Sequence, residues 1–541
     1  MALALTDLCL GILQTLLVAY SHIQLVISPT TTPSRPQLSA LYATWKSYGW
    51  MTTRVGGQSL FPFGIILNSS GIGQLQVRRQ VTIGTLSCEI LPEIFDFCVD
   101  EPEGRDDNWW RTLVHVCRSW RNVVFTSLRR LNLQLLCTRT RSVGEMLNIW
   151  PELPIIVEGY DGSKMMQDAD NLIAALKLND RVSRINLWRV SSSELKTFAA
   201  VMQDPFPVLT DLLVVGDEMA PVISDSFLGG SAPRLQYLVL EGIPFPALPG
   251  VLLSATDLVD LQLKDLPHSG YISPSAMVTC LSTPARLESL IFEFQSPRSR
   301  PNRASQFTPP PTRTILPSLT YLHFKGVTEY LEDLVTQIDV PLLEYISITF
   351  FNQLIFDISQ LPEFLCRTEN FKILDRADVV FLEDLILVKL SLQTGADTTR
   401  LQLGISCRKL DWQLSSLAQV CDPALPTLSA MEGLYLGPTI YTPDLLPGQD
   451  EIENTQWLDV LRPFANVKNV HLSEQVAPCI TPALQELTDE GMTEVLPALQ
   501  NVFLGSFESS GPVQEGIGQF VAARRRSDCP VAIHPWERGR K

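Results

Sequence analysis

Residues 232–266 read APRLQYLVLEGIPFPALPGVLLSATDLVDLQLKDL. Within them Leu235, Leu238 and Leu240 recur 23 residues later as Leu258, Leu261 and Leu263. The spacing apolar-x-x-apolar-x-apolar ends in strict alternation, which places successive side chains on opposite faces of a strand. A proline ahead of the first leucine, in Ala232-Pro233-Arg234-Leu235, fits a loop that feeds the strand.

Outward from this pair the same pattern occurs as Val182-Ile185-Leu187, Leu209-Leu212-Val214, Leu287-Leu290-Phe292, Leu319-Leu322-Phe324 and Leu343-Ile346-Ile348, with successive starts 23 to 32 residues apart. After a blurred stretch it returns as Met431-Leu434-Leu436, Val467-Val470-Leu472 and Leu499-Val502-Leu504. Asp168–Lys177 and Tyr330–Gln337 read as amphipathic helices between units. A unit this short buries its apolar edge only by stacking on the next, so the pattern predicts an α/β solenoid. It resembles the leucine-rich repeat, with one departure. That family carries Asn or Cys eight residues after the first leucine, whereas these positions hold Val190, Asp217, Ile243, Leu266, Gln295, Val327 and Phe351. The array is either a degenerate leucine-rich repeat with loose turns or another α/β repeat.

Side chains between the strand leucines are expected on the concave, solvent-facing surface. That register selects Trp188, Tyr237, Tyr321, His323, Tyr345 and His471 as target-binding candidates, among charged neighbours such as Arg184, Asp260 and Lys325. Aromatic side chains interleaved with charges suit a protein-binding face. Residues 296–317, rich in Pro, Arg and Ser, read as a solvated loop interrupting one unit.

Ahead of the array, Leu86 to Leu131 pack two apolar-periodic helical segments around a polar insert and close with Val116-Cys117-Arg118 and Trp120-Arg121. Val116, Cys117, Trp120 and Val123 share one helical face, opposite Arg111, Arg118 and Arg121. On Leu86, Ile90, Leu91, Glu93, Ile94 and Phe95, then Leu113, Val114, Val116, Cys117, Trp120, Val123 and Val124, the chain resembles the F-box, and in particular the large fungal set of F-box proteins. The resemblance extends to Leu131, Leu133, Leu135, Leu136, Cys137 and Thr138. It implies docking onto the Skp-type adaptor of a cullin-RING ubiquitin ligase through Leu86, Ile90, Ile94, Phe95, Leu113, Val116, Cys117 and Trp120, with Trp120 chiefly packing the module's own core. The family's usual Leu-Pro opening is Leu86-Ser87 here, which removes a residue that would pre-set the first helical turn.

The expected fold class is therefore α plus α/β: a small helical F-box followed by an irregular leucine-rich-repeat-like α/β solenoid. The division runs as a leader at 1–75, an F-box-like domain at 80–138, a linker or capping region at 139–180, the array at 181–510 and a C-terminal tail at 511–541. A formal net charge of −16 argues against nucleic acid as a partner, because phosphate binding needs clustered Lys and Arg, and the Arg524-Arg525-Arg526 run is too short to reverse it. Eleven cysteines without C-x-x-C spacing suggest neither zinc nor a disulfide framework, and fit a cytoplasmic or nuclear protein. No nucleotide loop, nucleophile elbow or paired-histidine motif is present, so no cofactor and no catalysis are expected. Residues 2–27 are apolar enough to raise a membrane tether as a weaker alternative, although they hold Asp7 and have no basic residue ahead of them. Two functions follow: a ligase subunit that holds a protein target on the array, or a ligase-independent scaffold for protein interactions.

Overall fold

The structure, a computed structural model, describes residues 110–126, 133–139, 144, 146–147, 150, 152–159, 169–217, 220–302, 312–392, 399–421, 426–438, 452–487, 495–505 and 511–536. The chain divides into two compact units, 1–134 and 135–541. In the first, the helices Trp110–Val116 and Arg118–Thr126 meet at Cys117. Two contacts build this corner. The Trp120 amide donates to the Cys117 sulfur at 3.5 Å, and the Arg121 side chain donates to the Val114 carbonyl at 2.9 Å. Each satisfies a backbone group that a helix end leaves without a partner. The break changes the faces read from the sequence: Leu113, Val114, Trp120, Val123 and Val124 are buried, whereas Cys117, expected among them, is exposed.

Among the described residues, the second unit is built on a sheet of sixteen strands with helices between them. Its strands are β1 (Leu135–Thr138), β2 (Ile155–Gly159), β3 (Val182–Val190), β4 (Asp211–Gly216), β5 (Tyr237–Glu241), β6 (Asp260–Leu266), β7 (Ser289–Phe294), β9 (Tyr321–Gly326), β11 (Tyr345–Phe351), β12 (Arg376–Phe381), β13 (Leu385–Ser391), β14 (Thr399–Ser406), β15 (Gly433–Pro438), β16 (Asn469–Leu472), β17 (Asn501–Leu504) and β18 (Ala532–Pro535). The strands β8 (Thr314–Ile315) and β10 (Ile338–Asp339) pair separately, so part of the segment read as a solvated loop is ordered by backbone pairing. This almost wholly parallel sheet with its helices is consistent with the leucine-rich-repeat-like α/β array expected.

The second and third apolar positions of the sequence pattern become two in-register buried spines. One runs Ile185, Leu212, Leu238, Leu261, Leu290, Leu322 and Ile346; the other runs Leu187, Val214, Leu240, Leu263, Phe292, Phe324 and Ile348. Each residue covers its neighbour one strand away, so the core is continuous although each unit is thin. The missing Asn or Cys position is explained by packing. Val190, Ile243, Leu266 and Val327 are buried there, so apolar contact replaces side-chain hydrogen bonding to loop backbone. At Val190 and Leu266 a bulge makes this possible: Arg189 and Asp265 take positive φ, and the next residue turns back under the sheet.

The blurred stretch of sequence is a β-meander. Strand order there is β11-β14-β13-β12-β15; β14 lies parallel to β11 and β12 parallel to β15, while β13 is antiparallel to both of its neighbours. With no helix between these three strands among the described residues, the period of about 25 residues vanishes from the sequence, yet the spines continue through Leu401, Leu390, Ala377 and Leu434.

Three boundaries differ from the sequence reading. The sheet begins at Leu135, inside the segment assigned to the box, because Leu135-Leu136-Cys137-Thr138 pairs with Ile155 to Glu158. The supposed linker at 139–180 contributes β2 and the helix Asp170–Leu176. The supposed tail at 511–541 supplies the helix Pro512–Arg526 and β18, which extends the sheet by pairing with β17. Arg524, the first residue of the short basic run, is buried in that helix and donates to the Leu496 carbonyl.

One junction between units carries a titrating group. The helix Leu361–Cys366 begins at the buried carboxylate of Glu332 on the preceding helix, Thr328–Val335. Glu332 accepts from the amides of Gln360 at 2.6 Å and Leu361 at 3.0 Å. Burial pushes its carboxyl from an ordinary 4.5 up to about 7; the two amides oppose this and Asp357 adds to it. The folded chain therefore holds this proton more tightly than the unfolded chain does. The group's contribution to stability is fully present below about pH 4.5 and is lost as pH rises to about 7. Urea titrations at stepped pH are expected to show this decline, and Glu332→Gln to flatten it whatever its effect on absolute stability.

Candidate protein-binding face

Opposite the buried spines, the alternate strand residues form in-register rows across the open face of the sheet. One row runs Arg184, Asp211, Tyr237, Asp260, Ser289, Tyr321 and Tyr345. The next runs Asn186, Leu213, Val239, Gln262, Ile291, His323, Ser347, Gln402, Lys389, Asp378, Tyr435, His471, Phe503 and His534. The target-binding candidates from the sequence all lie on this face, and the structure separates them into three groups.

The first group is accessible aromatic surface. Trp188 is 40% exposed at the β3 bulge and Tyr237 45% exposed on β5. Both present apolar ring area to solvent on rigid strands, at low entropic cost to a binding partner.

The second group centres on β7 and β9. Tyr321 and Tyr345 stack with centroids 5.0 Å apart and planes within 11°. Burial, then Tyr345, Glu293 and Asp260, pushes the Tyr321 hydroxyl up. Beside the pair, His323 Nε2 lies 3.2 Å from Glu293, and Lys325 reaches Asp265 at 3.4 Å and Glu293 at 4.0 Å. Burial raises the Glu293 carboxyl, but the His323 hydrogen bond and the nearby cations outweigh it and hold the group below its usual range. His323 is thus tied to a carboxylate instead of standing free for a partner.

The third group is an aromatic ladder in the last repeats. Tyr435 and His471 stack at 4.0 Å, His471 and Phe503 at 4.2 Å, and Phe503 and His534 at 5.1 Å. The Arg376 guanidinium covers the outer Tyr435 face at 4.1 Å and pairs with Asp378. Trp536, just past β18, folds edge-on over His471 at 5.2 Å and Tyr435 at 5.9 Å. A polar seam runs alongside: His534 donates to Asn501 at 3.1 Å, and Asn501 to Asn469 at 2.8 Å. Burial, with Arg376 adding to it, pushes His471 down to about 4, so the ring is neutral at physiological pH. His471 is therefore a rung of the ladder, and the indole lies over it. Tyr435 was legible from the register that selects His471; Arg376 and Trp536 were hidden by the meander and by the segment read as a tail.

In the first unit, Leu113 and Trp120 are buried, while Val116, 36% exposed, and Cys117 lie at the surface. Leu86, Ile90, Ile94 and Phe95 lie outside the described residues. So does the apolar stretch 2–27; among the described residues no helix is long and apolar enough to cross a membrane, and no cluster of three or more His, Cys, Asp or Glu could hold a metal ion.

No family model matches the chain, and no curated protein is similar to it. Among solved structures it is similar to the leucine-rich repeat-containing protein LegL7 from Legionella pneumophila, at 12% identity over 67% of this chain and 95% of that one, with a TM-score of 0.25.

Proposed function

We propose that the open face holds a protein partner, and that the chain serves as the substrate-recognition subunit of a cullin-RING ubiquitin ligase. The observation that carries the first part is the in-register row from Arg184 to Tyr345, which sets Tyr237 and the Tyr321–Tyr345 stack among carboxylates on rigid strands. What supports the second part is the F-box resemblance on residues 86–131, through which the Skp-type adaptor and then the cullin would be engaged. The receptor works by proximity, raising the local concentration of target lysines near the charged ubiquitin carrier, and carries no active site of its own. The alternative is a ligase-independent repeat scaffold using the same face.

Recovery of adaptor and cullin with the purified chain separates the two. Ile94→Asp is expected to lower adaptor affinity by about tenfold or more, the scale of a disrupted interface anchor. Equal recovery with both chains, or none with either, leaves the scaffold reading.

A further inference from the structure

Where the meander interrupts the repeats, the helices on either side part. The chain leaving β11 enters the helix Leu361–Cys366, which packs on Thr328–Val335, the helix that follows β9. The chain leaving β14 enters Leu410–Cys421, which packs on Asn454–Leu461, the helix that follows β15. Yet β11 and β14 are adjacent and parallel. Neighbouring parallel strands whose connections turn opposite ways leave a crevice outside their carboxyl ends, the position at which open α/β sheets take small ligands. A crevice of about 570 Å³ lies there, within the range of roughly 300–1,000 Å³ typical of small-molecule sites.

Three chain segments wall it: Asn352 just past β11, Asp384 in the turn from β12 to β13, and the run from Ser406 at the end of β14 to Trp412 in the first turn of Leu410–Cys421. Side chains of that helix stitch the walls together. Gln413, buried, donates to the Cys407 carbonyl at 2.7 Å and to the Leu382 carbonyl at 3.0 Å, and the Ser416 hydroxyl donates to Asn352 Oδ1 at 3.4 Å. The crevice is therefore preformed. Its charges are divided: Arg408 and Lys409 stand on the helix side and Asp384 on the hairpin side, all three exposed and none in an ion pair among the described residues. Glu383 and Asp411, next to them in sequence, do not line it. The Trp412 indole, 49% exposed, adds an apolar wall beside the cations.

We infer that this crevice binds a small zwitterion carrying a planar apolar group, an aromatic amino acid or a short aromatic peptide, with its carboxylate at Arg408 and Lys409, its ammonium at Asp384 and its ring against Trp412. A simple anion would face Asp384 and a simple cation would face the pair of basic residues, whereas a zwitterion meets both. The guanidinium of Arg408 matches a carboxylate with two parallel donors, and the Asn352 amide group, whose oxygen is taken by Ser416, is left as a further donor. The site lies at the rim of the sheet and does not depend on the protein-binding reading of the open face.

The test is calorimetric titration of the full chain with phenylalanine and with phenylalanyl-phenylalanine, each beside its N-acetyl form, which loses the ammonium, and its carboxamide, which loses the carboxylate. Saturable binding of at least one zwitterion is expected, with a Kd of about 1 mM or tighter. Losing either charge from the ligand is expected to weaken it about fivefold, the upper scale of an exposed ion pair. Asp384→Asn is expected to weaken the zwitterion by the same factor and leave the N-acetyl form unchanged. Arg408→Gln with Lys409→Gln is expected to weaken both of these and leave the carboxamide unchanged. Trp412→Ala should remove any preference for phenylalanine over alanine. The charged residues are exposed and unpaired, so an unchanged thermal transition is expected for their variants. Absence of saturable binding by both zwitterions, or binding indifferent to the ligand's charges and to these variants, overturns the site.

Discussion

Substituting Tyr321 and Tyr345 together with alanine is expected to lower partner affinity by at least about 30-fold, the scale of one strong interface anchor at about 2 kcal/mol. The rings stack on adjacent parallel strands, so each fixes the other's orientation, and the two losses are not expected to add as independent terms. Both side chains are only half-buried and lie on the face opposite the spines, so the sheet keeps its core without them. Residues 86–131, which carry the proposed adaptor contact, belong to the other compact unit, and adaptor recovery should be unchanged. Titration of a captured partner segment against the double variant checks this. An unchanged affinity, combined with loss on substitution of exposed helix residues such as Lys196, would move the binding surface to the other side of the sheet.

Tyr330→Ala is expected to destabilise the second unit by about 3–5 kcal/mol, the range for removing a buried aromatic side chain. Tyr330 is fully enclosed by Phe292, Phe294, Phe324 and Tyr271, with centroids 4.8 to 6.0 Å away, and its hydroxyl donates to the Ile272 carbonyl at 2.9 Å. The truncation removes a ring that bridges two neighbouring strands, β7 and β9, and the loop before the helix Pro274–Leu281. Tyr330→Phe keeps the ring and deletes only the hydrogen bond, at a cost of about 1 kcal/mol. Urea midpoints of the two variants separate packing from hydrogen bonding. Equal, small losses for both would mean that the cluster repacks around the cavity.

The array was legible because its spines are leucines at fixed spacing, and that spacing is a direct consequence of strand pairing in register. Trp188, Tyr237, Tyr321 and Tyr345 were legible for the same reason, since alternation assigns them to the open face once the leucines are assigned to the core. The meander was not. Its strands bury Ala377, Val379, Val388, Leu390, Leu401 and Leu403 with the same alternation, but nothing in a local pattern states that β14 pairs back onto β11. The partner of a strand 55 residues away is chosen by which surfaces remain uncovered, a global property. Cys117 failed for a different reason: helical periodicity presumes an unbroken helix, and the Cys117 sulfur instead ends one helix and starts the next. The crevice beside Trp412 was also out of reach, because its walls come from three segments that only the meander brings together.

A stack of parallel strands is open-ended by construction, and its last strand is a template for whatever chain arrives next. In β18 the amides of Ala532 and Trp536 donate inward to Gln500 and Leu504 of the preceding repeat, so by alternation the outward positions are Ile533 and Pro535. Proline has no amide hydrogen, which leaves this short edge a single outward donor. Immediately beyond it, the Trp536 ring packs edge-on against the ladder. Along β18, the repeat that sequence periodicity did not mark thus offers an incoming strand little backbone to pair with.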